Sequence, residues 1–172
     1  MHMRIPVYPA GPLGFSEAGR AFYYGTFLPM LVELGYEPRD PWTLTPETAV
    51  SDVEAMPYGE AKREAWRKLN ITIGENNRNA IVTSRLVVAI LDGPDVDSGT
   101  AAEIGYAAGR DIPIIGYRGD FRISADNVGA MVNLQVEHFI RRNGGTIVQT
   151  MNDLRRELKR WHPLLSHSRK TA

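Results

Sequence analysis

The residues most able to do chemistry lie in one short stretch. Asp92-Gly93-Pro94-Asp95-Val96-Asp97-Ser98-Gly99-Thr100 places three aspartates in a glycine-containing loop, and Glu103 follows about one helical turn later. A glycine-rich loop opening a helix can cradle a phosphate. Here three carboxylates oppose a second anion and no lysine follows, so a nucleotide-triphosphate P-loop is excluded. The set suits a neutral, hydroxyl-rich ligand: carboxylates accept hydrogen bonds from sugar hydroxyls, and one of them can attack an anomeric carbon. The same stretch also admits a purely architectural reading. Ala101, Ala102, Gly105, Ala107, Ala108 and Gly109 permit close helix–sheet packing, with Glu103 turned to solvent near a helix N-terminus. Residue types and spacing alone leave both readings open.

The elements that must position these groups alternate in type. Arg4 to Ala10 predicts a strand ending at the turn-rich Gly11-Pro12-Leu13-Gly14. Ser16 then caps a helix carrying Ala21, Tyr24, Phe27, Leu28, Leu31 and Leu34 at helical spacing, with a kink or break expected at Pro29. Gly35 ends that helix, and a short extended piece runs from Tyr36 to Arg39. The prolines at 41, 46 and 57 predict a long irregular loop between them. A helix from Gly59 to Thr83 follows, divisible at Gly74. The continuous apolar run Leu86-Val87-Val88-Ala89-Ile90-Leu91 reads as a central parallel strand covered on both faces. Next come a helix from Thr100 to Gly109, a buried strand from Ile112 to Tyr117, a loop, a short helix, a strand-like turn near Asn133 and an amphipathic helix from Met151 to Trp161. The pattern predicts a three-layer α/β/α sandwich with a mainly parallel, flavodoxin-like five-stranded sheet. We read one domain over residues 1–165 and a flexible tail over 166–172. In such sheets ligands bind beyond the carboxyl ends of the strands, where strand order reverses. The loop after the first strand, the aspartate loop and Arg118-Gly119-Asp120 all fall at such ends.

Composition removes several function classes. The chain of 172 residues carries 20 basic and 20 acidic residues, for a formal net charge of +0. A binder of nucleic acid polymers ordinarily carries a basic excess, so that class is disfavoured. Cysteine is absent, which removes disulfides, thiolate nucleophiles and thiolate metal sites. His2, His138, His162 and His167 are not spaced as a metal site. No apolar run is long enough for a membrane span and no signal-peptide pattern opens the chain, so a cytoplasmic protein is expected.

The segment Asp92-Gly93, then Asp97-Ser98-Gly99-Thr100-Ala101-Ala102-Glu103-Ile104-Gly105-Tyr106-Ala107, resembles the signature of nucleoside 2-deoxyribosyltransferases. Tyr8-Pro9-Ala10-Gly11-Pro12 upstream and Asn133-Leu134-Gln135 downstream fall where that family has its other site segments. The likeness runs from about Arg4 to Ile140.

What the resemblance implies is exchange of a deoxyribose between nucleobases through a covalent glycosyl-enzyme, with no metal or organic cofactor. Glu103 matches the family nucleophile, Tyr8 the tyrosine that holds it, and Asp97 the aspartate that fixes the sugar hydroxyls. Asn133 matches an asparagine that reaches the 5′-hydroxyl from a neighbouring subunit, which implies a homo-oligomer. Asp92 and Gly99 belong to the same signature, and Phe15 is a candidate to stack on the base. Where some members place an aspartate beside the leaving base, this chain has Asn77, a poor proton donor. Asp40 or water is then left to serve, and Asp40-Pro41-Trp42 is expected to border the base. The partners implied are a deoxyribonucleoside and a free nucleobase. Two rivals stand beside this reading: an N-glycosidase hydrolysing deoxynucleosides or their 5′-monophosphates, and a non-catalytic nucleoside or nucleotide sensor on the same fold. The first strand's loop lacks an arginine until Arg20, which disfavours a phosphate pocket there.

Overall fold

β3 (Leu86–Ile90) is the central strand, and every one of its five residues is buried. Its side chains alternate between two cores: Val87, Ala89 and the following Leu91 enter one, while Leu86, Val88 and Ile90 enter the other. The computed structural model describes residues 4–167. β1 (Ile5–Ala10), β2 (Tyr36–Pro38), β4 (Ile114–Tyr117) and β5 (Thr146–Val148) complete a parallel sheet of order β2-β1-β3-β4-β5.

Helices cover both faces. α1 (Glu17–Phe22), a π-helical turn (Tyr23–Phe27), α2 (Leu28–Glu33) and α7 (Met151–His167) pack on one side through Tyr23, Phe27, Met30, Leu31, Leu154 and Leu158. α4 (Glu60–Thr83), α5 (Ser98–Gly109) and α6 (Leu134–Arg142) pack on the other through Ile81, Ile104, Ala107, Val136 and Ile140. The chain steps one way from β1 to β2 and the other way from β2 to β3 and onward. Crossovers of one hand therefore lie on opposite faces. Strand order reverses between β1 and β3, so the carboxyl ends of these two strands flank the crevice.

Several local expectations are corrected. The stretch between Pro41 and Pro57 contains α3 (Glu47–Glu54): Pro46 precedes the helix at a position that needs no N–H donor, so the prolines frame the element instead of breaking it. α4 runs undivided through Gly74, an exposed position where glycine costs conformational entropy but no hydrogen bond. The chain also continues helically through Pro29. The π-helical turn lies just upstream, with the Leu28 N–H donating to the Tyr23 carbonyl. That turn shifts the register of the apolar stripe, so that Tyr23 is buried and Tyr24 is partly exposed.

The fifth strand is Thr146–Val148, not the stretch near Asn133. Asn133 caps α6, its Oδ1 accepting from the Gln135 and Val136 N–H groups, and no helix occurs between 118 and 132. α7 extends through Ser166 and His167, and the rest of the expected tail lies outside the described residues.

β5 depends on a close approach at its entry. A Cβ placed on Gly145 would sit 1.9 Å from the Ile114 carbonyl oxygen and 2.6 Å from that of Ile140. Both are backbone atoms that no rotamer change can move. Gly145→Ala is expected to destabilise the protein by about 3 kcal/mol or more. Thermal unfolding followed by circular dichroism would detect this as a clear fall in Tm.

Candidate functional site

Tyr8 stands near the carboxyl end of β1 and faces α5. Its side chain is fully buried, and its hydroxyl donates to Glu103 Oε1 at 2.5 Å. α5 can lie close enough for this because its sheet-facing side is built from Ala107, Ala108 and Ile104, all buried against Val87 and Ala89. The geometry decides against a solvent-facing Glu103. Burial pushes the Glu103 carboxyl up to about 7. The Tyr8 hydrogen bond pulls the other way, and the charge of Asp97 adds to the rise. Burial, followed by the Glu103 and Asp40 charges, holds the Tyr8 phenol far above its ordinary range, so Tyr8 is a permanent donor.

Asp97 is the N-cap of α5. Its Oδ2 accepts from the Thr100 N–H at 2.9 Å and from the Thr100 hydroxyl at 3.1 Å. Among the described residues Oδ1 makes no hydrogen bond, so one oxygen builds the helix start while the other is left to accept. Gly99 is exposed in the first turn, and a Cβ there would approach Asp97 Oδ2 to 3.2 Å. Asp92 accepts from the Asp120 N–H at 2.9 Å, and Asp120 in turn accepts from the Gly93 N–H at 3.3 Å and pairs with Arg122.

Arg118, 3% exposed, ties this loop to the sheet. Its guanidinium donates to the carbonyls of Leu91 (2.5 Å), Gly93 (3.3 Å) and Arg122 (2.8 Å). Spacing does not single Arg118 out, because its partners are backbone oxygens that residue types cannot announce.

A second cluster centres on Asp40, 8% exposed beyond the end of β2. Oδ1 accepts from the Tyr23 hydroxyl at 2.9 Å and from the Trp42 N–H at 3.1 Å. Among the described residues Oδ2 has only the Tyr24 hydroxyl, at 3.4 Å. Tyr23 and Tyr24 escape a sequence reading because the π-helical turn brings both consecutive hydroxyls to one carboxylate. Trp42 lies against Gly14 and is met edge-on by Phe15 at 4.7 Å. Phe15 itself is 74% exposed, so it belongs to the rim and not to the core.

Asn77 carries a buried Oδ1 without a hydrogen-bond partner among the described residues, while its neighbour Asn76 donates to the Leu44 carbonyl and to Thr45. Asn133 is engaged as a helix cap, its Oδ1 occupied by the Gln135 and Val136 N–H groups. The structure therefore brings Tyr8, Glu103 and Asp97 together, with Asp40 near Tyr8. Among the described residues no group of three or more His, Asp or Glu side chains is placed to hold a metal, and no helix is long and apolar enough to cross a membrane.

The raised Glu103 carboxyl has a consequence for stability. A carboxyl held above its unfolded value contributes stability that is complete below about 4.5 and is lost as pH rises through about 7. The loss is on the order of 2–3 kcal/mol for a shift of this size, allowing for partial exposure. Glu103→Gln keeps an oxygen for Tyr8 and removes the charge. Its stability relative to wild type is expected to rise between pH 4.5 and 7 and to level off above. Denaturant unfolding across that range checks the sign.

The chain matches the sequence model of the nucleoside 2-deoxyribosyltransferase family over residues 7–139, from β1 into α6. Similar folds occur in a conserved protein from Enterococcus faecalis V583 (TM-score 0.63, 23% identity, 91% of this chain and 98% of that one). They also occur in a 2-desoxiribosyltransferase from Leishmania mexicana (TM-score 0.61, 21% identity, 91% and 97%). A 2-deoxyribosyltransferase from Bacillus psychrosaccharolyticus aligns with TM-score 0.59 and 18% identity, over 87% of this chain and 89% of that one. No curated protein sequence matches significantly. At these identities the structural likenesses speak to the fold, and the sequence match speaks to descent: the chain belongs to the nucleoside 2-deoxyribosyltransferase family.

Proposed function

We propose that this protein transfers 2-deoxyribose from one nucleobase to another through a covalent intermediate on Glu103. The observation that carries this reading is the 2.5 Å hydrogen bond from Tyr8 to Glu103 Oε1. It fixes one carboxylate oxygen and leaves Oε2 for C1′. As the C1′–N bond breaks, positive charge develops on the sugar ring, and the carboxylate stabilises it before closing the C1′–O ester. The base departs with the electron pair of the C–N bond and takes a proton from water. A second base then attacks C1′ through a ring nitrogen from the face the first one left, the C1′–O ester bond breaks, the ring-nitrogen proton passes to water, and Glu103 returns as a carboxylate with configuration retained. Water attacking in place of the base gives slow hydrolysis.

Asp97 Oδ1 and Asp92 supply acceptors for sugar hydroxyls at the α5 end of the crevice. Phe15 and Trp42 border the base, with Asn77 on its flank. A 2′-hydroxyl would crowd Glu103, so deoxyribonucleosides are the substrates. Nucleoside salvage in the cytoplasm is the setting this reading gives the protein.

Assembly is part of the proposal. The segment between β4 and α6 exposes Phe121 (95%), Ile123 (92%) and Val128 (109%), three large apolar side chains on one connection. We assign it to a neighbouring copy, whose site then receives Asn133. Static light scattering at micromolar concentration is expected to give a multiple of the chain mass, and a monomer would remove this part of the reading.

One observation favours a second reading. Arg20 folds back so that Nη1 donates to the Gly14 carbonyl at 2.9 Å, bringing a guanidinium to the first loop after all. That is where a glycosidase acting on deoxynucleoside 5′-monophosphates would bind phosphate.

Incubation with deoxyinosine and free adenine, followed by chromatography, separates the readings. Deoxyadenosine and hypoxanthine from wild type and from neither Glu103→Ala nor a blank support transfer. Free deoxyribose 5-phosphate from deoxynucleotides, without exchange, supports the glycosidase. Binding without turnover supports a sensor. Tyr8→Phe removes the hydrogen bond that lowers the Glu103 carboxyl. The acid limb of its pH–rate profile is therefore expected to move above the wild-type position near pH 7, with kcat reduced about 10–100-fold.

A further inference from the structure

We propose that Asp40 reads the nucleobase, accepting a hydrogen bond at Oδ2 from an exocyclic amino group, and that Tyr24 gives way as the base binds. This rests on the deoxyribosyl-transfer reading above and names the bases it selects.

The two oxygens of Asp40 are unequally served. Oδ1 has two donors at ordinary distances, the Tyr23 hydroxyl at 2.9 Å and the Trp42 N–H at 3.1 Å. Among the described residues Oδ2 has one donor, the Tyr24 hydroxyl, at a stretched 3.4 Å. Tyr23 is 2% exposed and cannot leave, whereas Tyr24 is 44% exposed and can swing into solvent at little cost. An ionisable oxygen this deep that holds only one long hydrogen bond has acceptor capacity left over.

The position, beside the aromatic rim, fits a base. Asp40 lies close enough to Tyr8 for its charge to act on that phenol, and the same phenol donates to Glu103. Trp42, two residues on, carries the Phe15 contact at the rim, so the Asp40 turn and the aromatic rim are one segment.

An acceptor-only oxygen favours adenine and cytosine, which present amino donors, over hypoxanthine, which presents a carbonyl at the same edge. Asp40→Asn is a selective probe. Its amide oxygen can keep the Tyr23 and Trp42 donors at Oδ1, while its NH₂ puts a donor where Oδ2 stood.

The experiment measures kcat and KM for deoxyadenosine and deoxyinosine with a common acceptor base, in wild type, Asp40→Asn and Tyr24→Phe. Wild type is expected to favour deoxyadenosine by about tenfold or more in kcat/KM. Asp40→Asn is expected to bring the ratio to about one or invert it. Tyr24→Phe, which frees Oδ2, is expected to lower KM for deoxyadenosine about two- to fivefold with kcat little changed, and it serves if Asp40→Asn fails to fold. Exchange with no preference in wild type overturns the inference while leaving the transfer reading intact, as does a preference that survives Asp40→Asn. Absence of exchange with any base overturns the transfer reading instead. The competing donor is the sugar 5′-hydroxyl, so the series is repeated with 2′,5′-dideoxyadenosine. If the Asp40→Asn defect disappears with that substrate, Oδ2 serves the sugar and the inference falls.

Discussion

Glu103 is a carboxylate in a place that does not favour one, and the rest of the site follows from that. Burial alone would keep it protonated; the Tyr8 hydroxyl at 2.5 Å is the group that opposes burial and makes ionisation accessible near neutral pH. That hydroxyl arrives from β1 while the carboxylate arrives from α5, so the bond exists only if sheet and helix approach closely. The small residues of α5 and the strand faces of Val87 and Ala89 provide that approach. A modest change in the spacing of α5 would lengthen the bond and return Glu103 to its protonated form. Packing and chemistry are here the same variable.

A second constraint works across the chain. Arg118 stitches the aspartate loop to β3 and to the loop after β4 through three carbonyls, and Asp120 closes the same seam from the other direction with Asp92 and Gly93. Two loops at adjacent strand ends are thereby tied into one unit. On the opposite flank the Tyr23–Asp40 pair anchors the turn that carries Trp42. The crevice thus has two separately braced walls, with Tyr8 between them.

Much of this was legible in residue order. The all-apolar run of β3 announces a central strand, because only burial on both faces tolerates it. The Asp97 to Glu103 spacing announces a cap and an acid within the next two turns. What was hidden had physical reasons. α3 lies between prolines that flank it, and β5 is three residues long after two glycines, too short for periodicity to register. The partnership of Asp40 with Tyr23 and Tyr24 depends on a helical register that ordinary 3.6-residue spacing misassigns, and the role of Arg118 depends on backbone oxygens. The architecture showed through side-chain pattern; the bracing of the site did not, since it is written in main-chain partners and an irregular turn.

The π-helical turn also sets a rule for how this segment can change. A wide turn accommodates an extra residue within an otherwise continuous helix, so the two halves present faces rotated relative to each other. The first half holds the loop after β1 through Gly19, packed on Leu13 and Ser16; the second half fills the core with Met30 and Leu31. Loss of one residue between them would let an α-helical register resume, and then either the loop contacts or the core contacts could be kept, but not both. Length variation in this helix is therefore all-or-none: substitutions can accumulate along it one at a time, whereas a single-residue deletion must be answered at once by rebuilding one wall of the crevice.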